Sequence, residues 1–335
     1  MRIAKAVPIT TNANKDIAMT TRHLVDPELL PMLDAWPTVD LNATTLPRQR
    51  ARTLEQFGRE GAGGDAVTLD ELRVPGPDGT SLRLLVYRPR QQAQGAAAIY
   101  HCHGGGMVSG TPEMMDARNR KLVAELGCVL VSVDYRLAPE HPHPAPIEDC
   151  YAGLHWLHHC AADLGVDPAR IAVMGESAGG GLAASLALLA RDRGEVSLCH
   201  QFLICPMLDD RTCVEAEPNP CTGEFIWTRA TNDFGWSSLL GGEPGAPGVS
   251  PYASPARAED LAGLPPAFLY SGGLDLFVDE CLVYGRRLGR AGVAVELHIY
   301  PGAFHGFENM HTSRVARQAQ GDTLAALRKA LPSAS

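Results

Sequence analysis

The segment Gly175-Glu176-Ser177-Ala178-Gly179 sets a serine between two glycines, one two residues before it and one two residues after. A serine hydroxyl attacks only when it is exposed and a base takes its proton. A turn sharp enough to expose it needs neighbours almost free of side chains, which glycines at this spacing supply. A base is available downstream in His305, which follows the turn-prone Pro301-Gly302-Ala303-Phe304. Between the two, Asp275 follows Gly272-Gly273 and Asp279 lies four residues further on. Either carboxylate could in principle reach His305 and hold its tautomer. Upstream, His103-Gly104-Gly105-Gly106 offers successive N–H groups that no side chain obstructs, suited to a developing oxyanion. Nucleophile, base, acid and anion donors together are the parts needed for acyl transfer.

Such parts work only if the chain brings them to one place. Short apolar runs at Ala96 to Tyr100, Cys128 to Val133, Ile171 to Met174, Cys199 to Ile204, Ala267 to Tyr270 and Val293 to Ile299 alternate with helical stretches. The helices are expected at Pro112 to Leu126, Pro146 to Asp163, Ala178 to Arg193, Asp279 to Arg290 and Ser313 to Leu331, with Gly127 and Gly292 as stop signals. This alternation predicts an α/β fold, a mostly parallel sheet covered by helices on both faces. Before it, Ala66 to Val74 and Ser81 to Arg88 alternate around Pro77-Asp78-Gly79, as in a β-hairpin. Ser177 then stands between a strand and a helix, His103 to Gly106 at a strand end, and Asp275 and His305 beyond the last two strands. Asp279 and Glu280 instead fall at a helix start, where they suit free N–H groups and the helix dipole.

Two regions break the rhythm. From Ile17 to about Arg59 the chain is polar and interrupted by Pro27, Pro31, Pro37 and Pro47, with a short helical pattern at Leu46 to Phe57. From Met207 to Ser250, Pro, Gly and the aromatic residues Phe225, Trp227 and Phe234 replace the short loops, which predicts a small helical insertion.

The chain as a whole resembles the hormone-sensitive-lipase-like esterases, the family IV bacterial carboxylesterases of the α/β-hydrolase fold. The residues that carry the resemblance are His103-Gly104-Gly105-Gly106, Asp134-Tyr135-Arg136-Leu137-Ala138-Pro139-Glu140-His141-Pro142, Gly175 to Gly180, Asp275 to Glu280 and His305-Gly306-Phe307. The order Ser, Asp, His is the order of that fold. The resemblance implies a serine hydrolase of carboxylic esters with Ser177, Asp275 and His305 as triad. It also implies an oxyanion hole of the Gly105, Gly106 and Ala178 N–H groups, with His103 and Gly104 supporting that loop. No metal and no organic cofactor is implied. A helical cap is implied as well, which divides the chain into residues 1–59 (cap), 60–206 (core), 207–244 (cap insertion) and 245–335 (core). Leu276 departs from the proline common after the acid, and Met107 from the bulky residue common after the glycines. The second departure bears on the acyl pocket.

Other residues take plainer readings. His155 and His159 share a helical spacing without the glutamate or third ligand of a zinc site, so His155, His158 and His159 read as surface or packing residues. His101 and His103 alternate on a strand and could chelate a metal, but His103 belongs to the glycine loop. Nine cysteines occur singly, without a C-x-x-C pair, and read as reduced thiols; Cys213 and Cys221 could pair only in an oxidising compartment.

A net charge of −9 gives no general attraction to phosphate backbones, so nucleic acid is not an expected partner. The first fifteen residues carry no signal-like apolar core and no apolar run reaches 18 residues, so no membrane insertion and a cytoplasmic location are expected. The expected partner is a small-molecule ester, and a homodimer is compatible with the sequence. A receptor on the same fold is the alternative of another class, argued against by the presence of His305. Lactone, carbamate or amide hydrolysis would use the same residues.

Overall fold

The computed structural model describes residues 20–36, 41–57 and 66–332. The first nineteen residues, Pro37, and the boundary expected near residue 59 lie outside them. Eight strands form one sheet: β1 (Val67–Pro75), β2 (Ser81–Pro89), β3 (Ala96–Cys102), β4 (Val129–Asp134), β5 (Val166–Glu176), β6 (His200–Ile204), β7 (Ala267–Gly272) and β8 (Val295–Tyr300). Their order is β1-β2-β4-β3-β5-β6-β7-β8. The first two form the expected antiparallel hairpin, β2 also runs antiparallel to β4, and the pairs from β4 through β8 are parallel.

The helices are α1 (Leu30–Ala35), α2 (Leu46–Phe57), α3 (Asp116–Leu126), α4 (Ala145–His159), α5 (Ala178–Arg193), α6 (Arg229–Leu240), α7 (Val278–Arg290) and α8 (Arg314–Ala330). The central strands read as continuous apolar runs because both faces are covered. Ile171 and Val173 enter one core with Leu154 of α4, Leu186 of α5 and Tyr284 of α7. Ala172 and Met174 enter the other with Val123 of α3 and Leu327 of α8. Alternation of side chains along a strand accounts for the division.

Element ends differ from expectation in physical ways. The stretch from Pro112 opens as a tight 3-10 turn through Met115 before α3, with Gly127 closing that helix in the left-handed conformation. Strand β5 starts five residues early, at Val166, because Ala96 of β3 pairs with it there before the register shifts. Ser313 caps α8, its hydroxyl accepting from the Ala316 N–H at 3.2 Å. The irregular region after β6 contains a 3-10 turn, Asp210–Val214, and α6. Among the described residues no helix is long and apolar enough to cross a membrane.

Parallel pairing puts the carboxyl ends of β3, β5, β6, β7 and β8 along one edge of the sheet, where Cys102 pairs with Gly175, Glu176 with Ile204 and Gly272 with Tyr300. His103, Ser177, Cys205, Asp275 and His305 all follow within a few residues of these ends.

Candidate active site

The turn between β5 and α5 holds Ser177 at φ 55, ψ −122, outside the regions a serine ordinarily occupies. Its N–H donates to the Ile204 carbonyl at 2.8 Å, and its own carbonyl accepts from Met207 at 3.0 Å and Gly181 at 3.1 Å. These bonds set the strained residue between β6 and α5. The flanking glycines are required by contact: a Cβ on Gly175 would fall 2.1 Å from the Gly179 carbonyl, and one on Gly179 would fall 2.0 Å from the Cys102 carbonyl. The helix can therefore start directly against the sheet, with the serine partly exposed above it.

His305 reaches that serine from beyond β8. Its Nε2 lies 2.9 Å from Ser177 Oγ and its Nδ1 lies 2.9 Å from Asp275 Oδ2. With the proton on Nδ1 donated to the carboxylate, Nε2 is free to accept from the hydroxyl. Burial disfavours the imidazolium, but the charge and hydrogen bond of Asp275, with a further contribution from Glu308, outweigh it and hold His305 above its ordinary pKa. Asp275 is itself fixed, its Oδ1 accepting from the Phe277 N–H at 3.0 Å. Asp279 stands elsewhere: its Oδ2 accepts from the Asn219 amide at 3.0 Å. The expected helix-terminal role of Asp279 and Glu280 is thus redirected. Both lie in the first turn of α7, but Glu280 is buried and accepts from the Leu208 N–H at 2.8 Å and from the Asp209 N–H. The N–H just before that helix is taken by Asp275.

The glycine loop lies beside the serine. Gly105 and Gly106 have φ of 126° and 66°, a region open to glycine, and a Cβ on Gly105 would fall 2.0 Å from the Ser109 carbonyl. Among the described residues, none of the Gly105, Gly106 and Ala178 N–H groups donates to a backbone carbonyl. A Cβ on Gly104 would lie 3.0 Å from the Glu176 carbonyl, so this residue lets the loop approach the turn. His103 is fully buried, stacked on Tyr135 with ring centroids 4.3 Å apart, and its Nδ1–H donates to the Gly104 carbonyl at 2.9 Å. Burial lowers its pKa and keeps the ring neutral. The Tyr135 hydroxyl donates to the His103 carbonyl at 2.7 Å.

The segment Asp134 to Pro142 acts as a brace. Arg136 makes a forked pair with buried Asp149, and Arg50 of α2 donates to the Val108 and Ala138 carbonyls at 2.7 and 2.8 Å and to both oxygens of Glu140. Arg50 was not legible as a site residue, because its partners lie 58 to 90 positions away. Trp227 was visible only as an aromatic in the insertion. Its ring covers Gly106, 2.1 Å from where a Cβ would stand, and sits 6.1 Å from the His305 ring. Its indole N–H donates to Asn232 at 3.0 Å.

Glu176 carries a buried network. It pairs with Arg118 of α3 and lies 2.9 Å from His101 Nε2, while His101 Nδ1 lies 2.8 Å from Ser132 Oγ. Burial alone would raise this carboxyl, yet Arg118 and His101 bring it down to about 2. His101 and His103 thus take separate partners and form no chelating pair. Met107, at φ 64, is buried and its methyl group lies near Gly181, so it fills core beneath α5. Leu276 is buried against Gly223 of the insertion. His155 and His159 are ring neighbours on α4, and all nine cysteines are free. Cys205 lies behind Asp275 and His305, where burial pushes its thiol well above the ordinary range and leaves no thiolate to compete as nucleophile.

A family model of the alpha/beta hydrolase fold matches residues 99–309. This chain belongs to the α/β-hydrolase family. Carboxylesterase NlhH of Mycobacterium tuberculosis is 35% identical over 309 residues, spanning 92% of this chain and 96% of that protein. Esterase LipI of the same organism is 36% identical over 289 residues, 84% of this chain and 88% of its own. The solved structure of a bacterial heroin esterase is similar at a TM-score of 0.87 and 40% identity, covering 94% of this chain and all of that one. Within the α/β hydrolases the chain stands in the hormone-sensitive-lipase-like branch and is an ester hydrolase.

Proposed function

We propose that this α/β hydrolase cleaves carboxylic esters of short acyl chains through an acyl-enzyme on Ser177. His305 Nε2 takes the hydroxyl proton as Oγ attacks the carbonyl, and Asp275 stabilises the imidazolium that forms. The Gly105, Gly106 and Ala178 N–H groups receive the oxyanion, and His305 returns its proton to the leaving alcohol. Water activated by the same nitrogen then releases the acid. The observation that carries this reading is the unbroken relay, 2.9 Å at each end, from Ser177 through His305 to Asp275. It also speaks against a receptor role, which needs no aligned base.

The insertion at residues 207–244 and the N-terminal segment are proposed as a cap over Ser177. Support comes from Trp227 on Gly106, and from Thr20 and Thr21, whose hydroxyls bind Glu224 of the insertion. Such a cover favours short acyl chains over an open lipid groove. A cytoplasmic setting agrees with nine unpaired thiols.

The test is a panel of p-nitrophenyl esters, from acetate to long acyl chains, given to the pure protein and to Ser177→Ala. Hydrolysis confined to the parent, falling with acyl length, is expected. Turnover by Ser177→Ala, or preference for emulsified long-chain triglycerides, would overturn the mechanism or the substrate class respectively.

A further inference from the structure

Behind the relay, three side chains from different strand ends converge. Cys205 after β6, Asp275 after β7 and His305 after β8 each bring one ligand atom within 4.8 Å of the other two, and all three residues are buried. Cys205 is held at φ 43, with its N–H on the Tyr270 carbonyl at 2.8 Å, so its place is set by backbone. Ester hydrolysis as proposed employs the carboxylate and the imidazole but has no use for a thiol. Sulfur, imidazole nitrogen and carboxylate oxygen are together a ligand set for a thiophilic divalent cation.

We propose that Cys205 Sγ, an Asp275 oxygen and His305 Nδ1 form an inhibitory site for a thiophilic divalent cation such as Cd²⁺ or Zn²⁺. In a tetrahedral zinc site, bonds of about 2.0 to 2.3 Å set ligand atoms roughly 3.3 to 3.7 Å apart. The Nδ1–Oδ2 edge at 2.9 Å opens slightly to admit the ion, and the sulfur closes in by rotation of its side chain. The thiol proton leaves to solvent as sulfur coordinates. The Nδ1 proton is transferred to Nε2, so the imidazole stays neutral and one proton is released per ion bound. A protonated Nε2 cannot accept from Ser177. The ion therefore stops turnover by fixing the wrong tautomer, without entering the substrate's place, and kcat falls while KM is preserved.

The activity readout rests on the esterase reading; a second readout does not. The full chain is assayed on p-nitrophenyl butyrate after incubation with cadmium chloride in a non-chelating buffer, alongside Cys205→Ala and Cys205→Ser. The parent is expected to lose about tenfold or more in kcat with KM within about twofold, and to recover with EDTA. Each variant, compared with its own metal-free rate, should need at least about tenfold more cadmium for the same loss. Separately, Ser177→Ala is titrated with cadmium while the thiolate-to-cadmium ultraviolet band is followed. Its difference from the Ser177→Ala/Cys205→Ala protein isolates Cys205 from exposed Cys221 and the other thiols. Equal inhibition of parent and both variants, or no difference band, overturns the site. A metal-free parent that hydrolyses no ester overturns the esterase reading alone, since the difference band still decides whether the ion binds here.

Discussion

In the proposed relay His305 serves Ser177 as base and Asp275 serves His305 as acid, and the charges around His305 decide when it works. Attack needs a neutral imidazole, so kcat/KM should fall as pH drops through the His305 pKa and level off above it. Asp275 and Glu308 outweigh burial and raise that pKa, which puts the acid limb above the ordinary imidazole value of about 6.5. A profile of kcat/KM from acid to mildly alkaline pH checks this, and a flat curve through neutrality counts against His305 as base. The sign for stability is opposite. A folded pKa above the unfolded one contributes stability that is complete below the unfolded value and is lost as pH rises through the folded one. The two aspartates, one just before α7 and one in its first turn, should separate cleanly. Asp275→Asn is expected to lower kcat by up to about 10⁴, because the base loses its oriented tautomer. Its melting temperature should hardly move, since an amide oxygen can still accept from Phe277. Asp279→Ala should cost about 1 kcal/mol through its lost bond to Asn219 and leave turnover largely intact. Reversed phenotypes would make Asp279 the acid.

At the scale of elements, the site depends on contacts between segments distant in sequence. Helix α2 holds the glycine loop from outside through Arg50, whose guanidinium bonds two carbonyls and a carboxylate. Arg50→Ala should lower stability by about 1 to 3 kcal/mol and reduce kcat/KM, as the Val108 and Ala138 carbonyls lose their charged donor. Thermal unfolding and kinetics on one preparation test both, and unchanged kinetics would separate the brace from the oxyanion loop. Trp227 is the other contact of this kind. Replacing it by alanine removes the ring above Gly106 and should shift preference toward longer acyl chains. An unaltered acyl-length profile would show that the ring shapes no part of the pocket.

For the molecule as a whole, the charge network beneath Ser177 is expected to set behaviour in acid. Glu176 is held near a pKa of about 2 by Arg118 and His101, against its burial. Its unfolded value is about 4.3. The stability this shift contributes is present above that value and is lost as pH falls toward 2. Glu140 also sits at about 2, but its side chain is 55% exposed, so solvent screening leaves it a minor part of the same effect. Glu176→Gln removes the carboxylate partner of half-buried Arg118 and should cost about 1 to 3 kcal/mol. It should also flatten the acid dependence of unfolding, measured as denaturant midpoints between pH 3 and pH 6. A dependence as steep as the parent's would place the responsible carboxylate elsewhere.

Much of the site could be read from residue types and spacing because the decisive constraints there are local. A sharp strand-to-helix turn needs Gly175 and Gly179, a loop that presents N–H groups needs Gly105 and Gly106, and a sheet buried on both faces needs unbroken apolar runs. The chain order of serine, acid and histidine is likewise a property of sequence. Other features depended on where the strand ends meet. Asp275 was already set apart from Asp279 by its place after a strand end, and the fold adds that its oxygen faces His305 Nδ1 while Asp279 accepts from Asn219. Met107 turned into the core because its left-handed backbone aims it beneath α5. Arg50, Trp227 and Cys205 carry no local signal, since each owes its place to partners brought alongside by parallel pairing and helix packing. Side-chain chemistry and glycine sterics act over a few residues and are written along the chain; proximity between segments 58 to 128 residues apart arises only when the sheet closes its register.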